Sequence, residues 1–317
     1  MCARLTYVKC MEQSINRRMF LSLAAAGAAM SLARPLRAAV SENIRTHAIP
    51  KSSERIPAIG MGTWITFNVG DDLALRDNCA DVLKQFFALG GGMVDSSPMY
   101  GSAEDVIGYS LNKLQKTDGL FSATKVWTPS TWHGESQMAS SEELWGLNKF
   151  DLFQVHNLVN WEGHLETLRQ RKTEGRIRYI GITTSHGMRH DEMAQVMREP
   201  EVDFIQLTYN AADRNAEQRL LPMAADNGVA VIANRPFQRG ALINRVQRHP
   251  LPSWAADFGA KNWAQVLLKF IISHPAITCG IPATSNVAHM TENMGALSGP
   301  LPDAKLRAQI ADHIAGL

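Results

Sequence analysis

Short apolar runs alternate with segments of helical periodicity eight times along this chain, beginning at Ile59. The runs lack a polar residue at every second position, which is typical of strands buried on both faces of a parallel sheet. Eight such strand and helix units in about 260 residues favour a closed (β/α)8 barrel, the TIM barrel, over an open sheet. An open doubly wound sheet usually stops near six strands, and no Gly-x-Gly-x-x-Gly turn follows the first run.

The predicted strands and helices follow this alternation to the end of the chain. The strands are expected at 56–64, 93–95, 120–126, 151–156, 178–182, 203–207, 229–233 and 277–281. The helices are expected at 73–89, 103–114, 136–146, 161–173, 190–198, 215–227 and 263–274, with one more after the last strand. Ser102, with Asp105 three residues later, is expected to cap the second helix.

Residues 1–38 have the composition of an export signal. They hold six of the 32 basic residues and one of the 30 acidic ones, so the remainder carries 26 basic and 29 acidic residues, a formal charge of −3. Arg17 and Arg18 precede an apolar run, Met19 to Ala33, that is too short and too rich in alanine and glycine to span a bilayer. This pattern is typical of a twin-arginine signal; the alternative is an amphipathic N-terminal helix.

The leader predicts the twin-arginine export machinery as a partner and a periplasmic location. Cleavage near Ala38 would leave no stable membrane span, whereas an uncleaved leader would remain as an anchor. A polar linker is expected at 39–53 and the barrel at 54–317.

The composition is that of a soluble globular protein, with 45% hydrophobic and 20% charged residues. No basic tail or patch indicates a nucleic acid partner, and no cluster of His, Cys, Asp or Glu has metal-ligand spacing. Cys79 and Cys279 lie in apolar segments and are expected to be buried thiols, and no disulfide between them is predicted.

Polar side chains occupy the ends of three consecutive predicted strands, where a barrel of this kind gathers its reactive groups. They are Asp95, Lys125 and His156, and Tyr100 lies on the loop after Asp95. Each residue has a purely structural alternative: a turn-capping acid, a phenol over a core edge, a lysine extending to solvent, and a hydrogen-bonded core histidine. Their occurrence at equivalent positions in successive units favours a shared site.

The four side chains suit proton donation to a carbonyl oxygen. The Lys125 ammonium is expected to lower the pKa of the Tyr100 phenol from about 10 and make it a better general acid. Asp95 would hold Lys125 protonated, and His156 would donate a hydrogen bond to the oxygen that Tyr100 protonates. The set lacks an electron source, and a hydride-carrying cofactor would supply it.

The sequence resembles the aldo/keto reductase superfamily over about residues 55–317. The resemblance rests on five stretches in family order: 95–104 (Asp-Ser-Ser-Pro-Met-Tyr-Gly-Ser-Ala-Glu), 124–127 (Thr-Lys-Val-Trp), 154–157 (Gln-Val-His-Asn), 175–182 (Gly-Arg-Ile-Arg-Tyr-Ile-Gly-Ile) and 281–286 (Ile-Pro-Ala-Thr-Ser-Asn). It implies reversible hydride transfer between a nicotinamide cofactor and an aldehyde or ketone. The family's tetrad of Asp, Tyr, Lys and His falls on Asp95, Tyr100, Lys125 and His156, with Tyr100 as the acid.

The resemblance also implies a set of cofactor contacts, some of them altered here. The position of the family's Ser-Asn pair holds Thr183 and Thr184, while the Gln206 position is intact. The positions of a Lys and an Arg that often bind the adenosine 2′-phosphate hold Ala283 and His289, so Arg235 or Arg239 would supply the charge. NADP(H) is expected, with NAD(H) as the alternative. The full set of expected cofactor residues is Gly62, Thr63, Thr183, Thr184, Gln206, Arg235, Pro236, Phe237, Ala283, Thr284, Ser285, His289, Glu292 and Asn293.

Three tryptophans on loops after the first, third and fourth strands, Trp64, Trp127 and Trp161, are expected to line an apolar pocket for a small-molecule carbonyl or alcohol substrate. Two other functions remain open from the residues. One is a nicotinamide-binding sensor or accessory subunit with negligible turnover. The other is a barrel isomerase or lyase, which leaves Tyr100 without a role.

Overall fold

The computed structural model describes residues 44–317, so the predicted leader at 1–38 lies outside the described residues. Eight parallel strands form one sheet, in which each strand pairs with its neighbour in chain order. Residues 58–62 also bond to residues 280–283, with Gly60 N donating to Gly280 O at 2.9 Å and Gly62 N to Pro282 O at 3.0 Å. These bonds join the first strand to the last, and the predicted (β/α)8 barrel is confirmed.

Two short strands precede the eight of the barrel. The strands are β1 Thr46–Ala48, β2 Arg55–Pro57, β3 Met61–Gly62, β4 Met93–Asp95, β5 Phe121–Val126, β6 Phe150–Val155, β7 Ile177–Thr183, β8 Val202–Thr208, β9 Ala230–Asn234 and β10 Cys279–Gly280. The α-helices are α1 Leu73–Ala88, α2 Ala103–Leu114, α3 Thr131–Trp145, α4 Trp161–Thr173, α5 His190–Val196, α6 Leu220–Asp226, α7 Ala241–Val246, α8 Trp263–Ile272, α9 Val287–Met294 and α10 Ala304–Ala315.

Strands β1 and β2 form an antiparallel hairpin. It takes up part of the predicted linker and the start of the predicted first strand, so both predictions are corrected in these parts. His47 pairs with Ile56, and the intervening Ile49 is fully buried. Ile49 and Ile56 belong to the apolar cluster inside the barrel, which includes Phe121 and Phe204. The chain therefore packs against the barrel before residue 54, and only Met61–Gly62 of the predicted 56–64 strand joins the eight-stranded sheet.

Two predicted helices differ in the structure by more than two residues at one end or by a break. Helix α3 begins at Thr131 because the Ser130 hydroxyl accepts a hydrogen bond from His133 N and caps it. The helix expected at 215–227 is a 3-10 turn, Asn215–Gln218, followed by α6. None of the helices within 44–317 is long and apolar enough to cross a membrane.

Candidate active site

The carboxyl ends of the barrel strands surround a cavity of about 690 Å³. Its volume lies in the range of small-molecule and cofactor sites. Asp95, Tyr100 and His156 line it, and so do most of the residues expected to bind the cofactor, namely Gly62, Thr63, Thr183, Thr184, Gln206, Arg235, Pro236, Phe237, Ala283, Thr284, His289, Glu292 and Asn293. One cavity therefore brings together the two predicted sets of residues.

Asp95 is the last residue of β4 and its carboxylate is almost fully buried. One oxygen, Oδ2, accepts a hydrogen bond from Lys125 Nζ at 2.6 Å. The other, Oδ1, accepts from the side-chain amides of Gln154 and Gln206, both at 2.9 Å. Three donors, on β5, β6 and β8, thus satisfy the buried charge and fix its position.

Lys125 lies in β5 and is fully buried. Its ammonium donates to Asp95 and, at 2.7 Å, to the carbonyl of Ser96, and it lies 5.2 Å from the centre of the Tyr100 ring. Burial acts to lower the pKa of Lys125, but Asp95 and Tyr100 outweigh it, and the pKa is raised. The lysine therefore keeps its positive charge beside the phenol.

The prediction that Lys125 lowers the pKa of Tyr100 below its usual value is wrong. Its pKa is raised above the usual 10.0 because burial disfavours the phenolate more than the Lys125 charge favours it, and Asp95 adds to the increase. The phenol is thus fully protonated at neutral pH, and the attraction to Lys125 limits the rise in its pKa.

The loop that carries Tyr100 is fastened to the loop after β3. Tyr100 N donates to Ser97 O at 2.9 Å, and Gly101 follows with a φ of +63°, a conformation that favours glycine. Asn68 Oδ1 accepts from Ser102 N at 3.0 Å and from Ser102 Oγ at 3.2 Å. Ser102 takes the N-cap position of α2 as predicted, but its hydroxyl accepts from Gly70 N and makes no capping hydrogen bond to the helix.

His156 directly follows β6 in a tight turn in which Asn157 has a φ of +53°. The hydroxyl of Thr183 accepts from Asn157 N at 3.1 Å and ties this turn to β7. The His156 ring meets the Tyr100 ring edge to face, with 5.8 Å between ring centres. Burial, followed by the charge of Lys125, holds the pKa of His156 well below 6.5, so the imidazole is neutral.

Two arginines on the loop after β9 give the cavity a positive charge. Among residues 44–317, neither Arg235 nor Arg239 forms an ion pair with a carboxylate. Both have a positive φ, and the Arg239 guanidinium lies 4.0 Å from the centre of the Trp64 ring. Trp64 also lines the cavity, as predicted for the substrate pocket.

Besides the fully buried Lys125, three predicted site residues do not line this cavity. The backbone of Trp127 bonds to the Gln137 side chain, and the residue is 42% exposed. Trp161 begins α4 and packs against the apolar layer between helices and sheet. Ser285 is exposed, and its carbonyl accepts from Asn78. These three predictions are corrected. The direction of the loops decides whether such residues reach the cavity, and the sequence spacing does not determine that direction.

The site also contains residues that sequence reasoning missed. Gln154 carries one of the three donors to Asp95, and it lies near the end of β6, two residues before His156, which directly follows that strand. That spacing is a signal that could have identified it. Asn234, the last residue of β9, lines the cavity as well, and so does His186, which lies on a loop whose path the sequence pattern does not give.

Within the described residues, no group of three or more His, Cys, Asp or Glu side chains could hold a metal ion. Cys79 and Cys279 are buried free thiols, as expected. The reactive groups of the cavity are therefore a protonated phenol, an ammonium ion and a neutral imidazole. Together they can protonate and hydrogen-bond an oxygen atom on which negative charge develops.

Residues 58–313 match the model of the aldo/keto reductase family. The chain is similar to the methylglyoxal reductase YeaE of Escherichia coli (strain K12), with 27% identity over 256 residues that cover 79% of this chain and 89% of that protein. It is also similar to the L-glyceraldehyde 3-phosphate reductase of the same strain, with 26% identity over 317 residues that cover 84% and 91% of the two chains.

Two solved structures share the fold. The holo form of the aldo-keto reductase AKR11C1 from Bacillus halodurans superposes with a TM-score of 0.71 and 20% identity over 86% of this chain and 96% of that chain. An aldo/keto reductase from Klebsiella pneumoniae in complex with NADP and acetate gives 0.69 and 22% over 86% and 95%. At these identities the likeness establishes the barrel alone.

Proposed function

The chain belongs to the aldo/keto reductase family and is an NAD(P)-dependent oxidoreductase, and on that premise we propose that it transfers a hydride from NADPH to an aldehyde or ketone, with Tyr100 as the general acid. The observation that carries the proposal is the connected cluster of Asp95, Lys125, Tyr100 and His156 at the cavity. A buried ammonium beside a protonated phenol has a direct use in carbonyl reduction, since it stabilises the phenolate that remains after proton transfer.

The residues around the cavity fit a nicotinamide dinucleotide. In its NADP form such a cofactor carries an adenosine 2′-phosphate, and Arg235 and Arg239 offer it two guanidinium groups that form no ion pair within 44–317. Arginine binds phosphate oxygens through paired hydrogen bonds. Gln206 and the Thr183 and Thr184 pair would hold the carboxamide end, close to the tetrad. When bound, the reduced nicotinamide supplies the hydride.

The chain's own residues perform the proton transfer and hold the substrate oxygen. His156 donates a hydrogen bond to the carbonyl oxygen and orients it towards Tyr100. Tyr100 gives up its phenolic proton to that oxygen as negative charge develops there. Lys125 stabilises the resulting phenolate, and Asp95 keeps Lys125 charged and in place.

The experiment that tests this function follows the absorbance of NADPH and of NADH with a panel of carbonyl compounds. Methylglyoxal and L-glyceraldehyde 3-phosphate belong in the panel because the two similar reductases are named for them. Turnover of at least one aldehyde or ketone is expected, faster with NADPH. The absence of turnover on every member, with cofactor binding intact, would contradict the proposal and favour a nicotinamide-binding sensor.

The preference for NADPH is assigned to Arg235 and Arg239, since Ala283 and His289 occupy the positions that carry the charge in many relatives. Replacing either arginine with alanine should weaken NADPH binding more than NADH binding in a fluorescence titration. Arg248→Ala is the matched control, because Arg248 is an exposed arginine outside the cavity lining. An equal loss for both cofactors would refute the assignment.

We also propose that residues 1–38 direct the folded protein through the twin-arginine route to the periplasm. The support is the Arg17-Arg18 pair and the short apolar run that follows it. Replacing both arginines with lysine should retain the full chain in the cytoplasmic fraction of a bacterial host. Unchanged periplasmic recovery of that variant would rule the route out.

A further inference from the structure

Ser97 is a buried serine beside the catalytic histidine. It is fully buried on the loop between β4 and Tyr100, and its hydroxyl oxygen lies 2.9 Å from Nδ1 of His156. The same oxygen accepts a longer hydrogen bond from Met99 N at 3.4 Å. The hydroxyl therefore has a donor on one side and an imidazole nitrogen on the other.

The Ser97 proton has one available destination. A buried hydroxyl without an acceptor loses the hydrogen bond that it made with water, so buried donors are almost always paired. Among the hydrogen bonds of residues 44–317, His156 Nδ1 is the one group that can accept from Ser97 Oγ. In that arrangement Ser97 donates and Nδ1 carries no proton.

The other imidazole nitrogen then carries the proton. A neutral imidazole has one N–H, and the hydrogen bond at one nitrogen decides which of the two holds it. Within the described residues, Nε2 of His156 forms no hydrogen bond. It is also not fully buried, because it is absent from the set of fully buried polar atoms that lack a partner. Since His156 lines the cavity, Nε2 is accessible to a substrate oxygen.

We propose that Ser97 is a positioning residue that fixes His156 as the Nε2–H tautomer, so that the histidine donates its hydrogen bond to the substrate carbonyl. This inference rests on the proposed carbonyl reduction. In the opposite tautomer Nδ1–H would point at Ser97, the serine proton would have no acceptor, and Nε2 would present a lone pair to the carbonyl oxygen. Lone pairs on both atoms repel each other, so that tautomer cannot orient the substrate.

The test reads the tautomer directly, by ¹⁵N NMR of histidine-labelled protein with the cofactor absent. The His156 signals are assigned as those missing from the His156→Gln spectrum. The wild type is expected to show the Nε2–H form alone, and Ser97→Ala a mixture of the two tautomers. Ser97→Thr, which keeps the hydroxyl, should restore the wild-type pattern.

Kinetics of the same variants complete the test. Ser97→Ala should lower kcat at least about tenfold, because a misplaced proton on a catalytic histidine is severely damaging, while the KM for NADPH stays unchanged. Ser110→Ala is the matched control, since Ser110 is a fully buried serine whose hydroxyl donates to Val106 O within α2. It should change neither tautomer nor kcat.

The outcomes separate the two proposals. An Nδ1–H tautomer in the wild type, or an Nε2–H tautomer with unchanged kcat in Ser97→Ala, would overturn the role of Ser97. Failure of the wild type to reduce any carbonyl would overturn the proposed function, whatever tautomer the NMR spectrum shows.

Discussion

At the scale of single residues, burial and neighbouring charges together decide the protonation state of each reactive group. Burial raises the pKa of Tyr100 and lowers that of His156, while the Asp95 carboxylate keeps the equally buried Lys125 protonated. The site therefore enters the reaction with a neutral acid, a neutral hydrogen-bond donor and one fixed positive charge.

These states predict the pH dependence of carbonyl reduction. The pKa of Tyr100 lies above 10.0, so its proton is lost only as the pH rises through that higher value. The pKa of His156 lies well below 6.5, so His156 does not titrate near pH 6.5. We expect kcat/KM to stay level between about pH 6.5 and 10. A pH profile with an inflection near 6.5 would contradict the neutral imidazole.

Glu104 is a buried carboxyl outside the cavity lining, and it links three elements. It accepts from Thr124 Oγ1 at 2.5 Å, Ser141 Oγ at 2.9 Å and Trp145 Nε1 at 3.1 Å. Burial raises its pKa. The stability that its protonation contributes is therefore present below the unfolded pKa and is lost as the pH rises through the folded pKa.

Two substitutions of Glu104 should have opposite results. Glu104→Gln keeps an acceptor for Thr124 and Trp145 and removes the buried charge, so its free energy of unfolding at pH 8 should equal or exceed that of the wild type. Glu104→Ala leaves buried donors unpaired and should lose roughly 2–4 kcal/mol.

Urea denaturation at pH 5 and pH 8 measures both effects. Glu135→Ala, on the exposed side of α3, is the control and should be near neutral. A glutamine variant less stable than the wild type at both pH values would show that the charge itself is needed.

At the scale of elements, paired loops position the reactive groups. The loop after β3 holds the Tyr100 loop through Asn68 and Ser102, and the turn after β6 is tied to β7 through Asn157 and Thr183. Rigid strands bring Asp95 and Lys125 to the site, whereas Tyr100 depends on this contact between loops. The position of the acid is thus the most sensitive to changes away from the cavity.

Gly101→Ala should damage activity through this contact. An added Cβ would overlap Asn68 Oδ1 and displace the loop, and the positive φ adds strain of roughly 1–2 kcal/mol. We expect a lower Tm and a kcat reduced about tenfold or more, since small displacements of a catalytic group are costly.

Gly119→Ala provides the matched control for this prediction. Gly119 also has a positive φ, but an added Cβ there would meet nothing within 4 Å. Its Tm should fall while kcat stays the same. Equal loss of kcat in both variants would show that the Asn68 contact does not position Tyr100.

At the scale of the whole molecule, the barrel was predictable from the sequence, and the hairpin of β1 and β2 that packs against it was not. The eight apolar runs identify the strands because each is buried on both faces, and strand ends place Asp95, Lys125 and His156 together. The β1 and β2 hairpin escaped prediction because its strands have three residues each and lie in a polar segment.

Properties that depend on how the loops pack could not be predicted from the sequence either. The raised pKa of Tyr100 reflects how much water the folded loops remove, and the positions of Trp127 and Trp161 reflect the direction of long loops. Residue types and spacing do not determine either quantity.

The central claim is that Tyr100 is the proton donor for carbonyl reduction, and Tyr100→Phe tests it most directly. The variant keeps the ring and removes the hydroxyl, so its affinity for NADPH, measured by fluorescence titration, should match that of the wild type. Its kcat for a carbonyl substrate that the wild type reduces should fall at least about 100-fold. Undiminished kcat in Tyr100→Phe, with NADPH bound normally, would contradict this assignment.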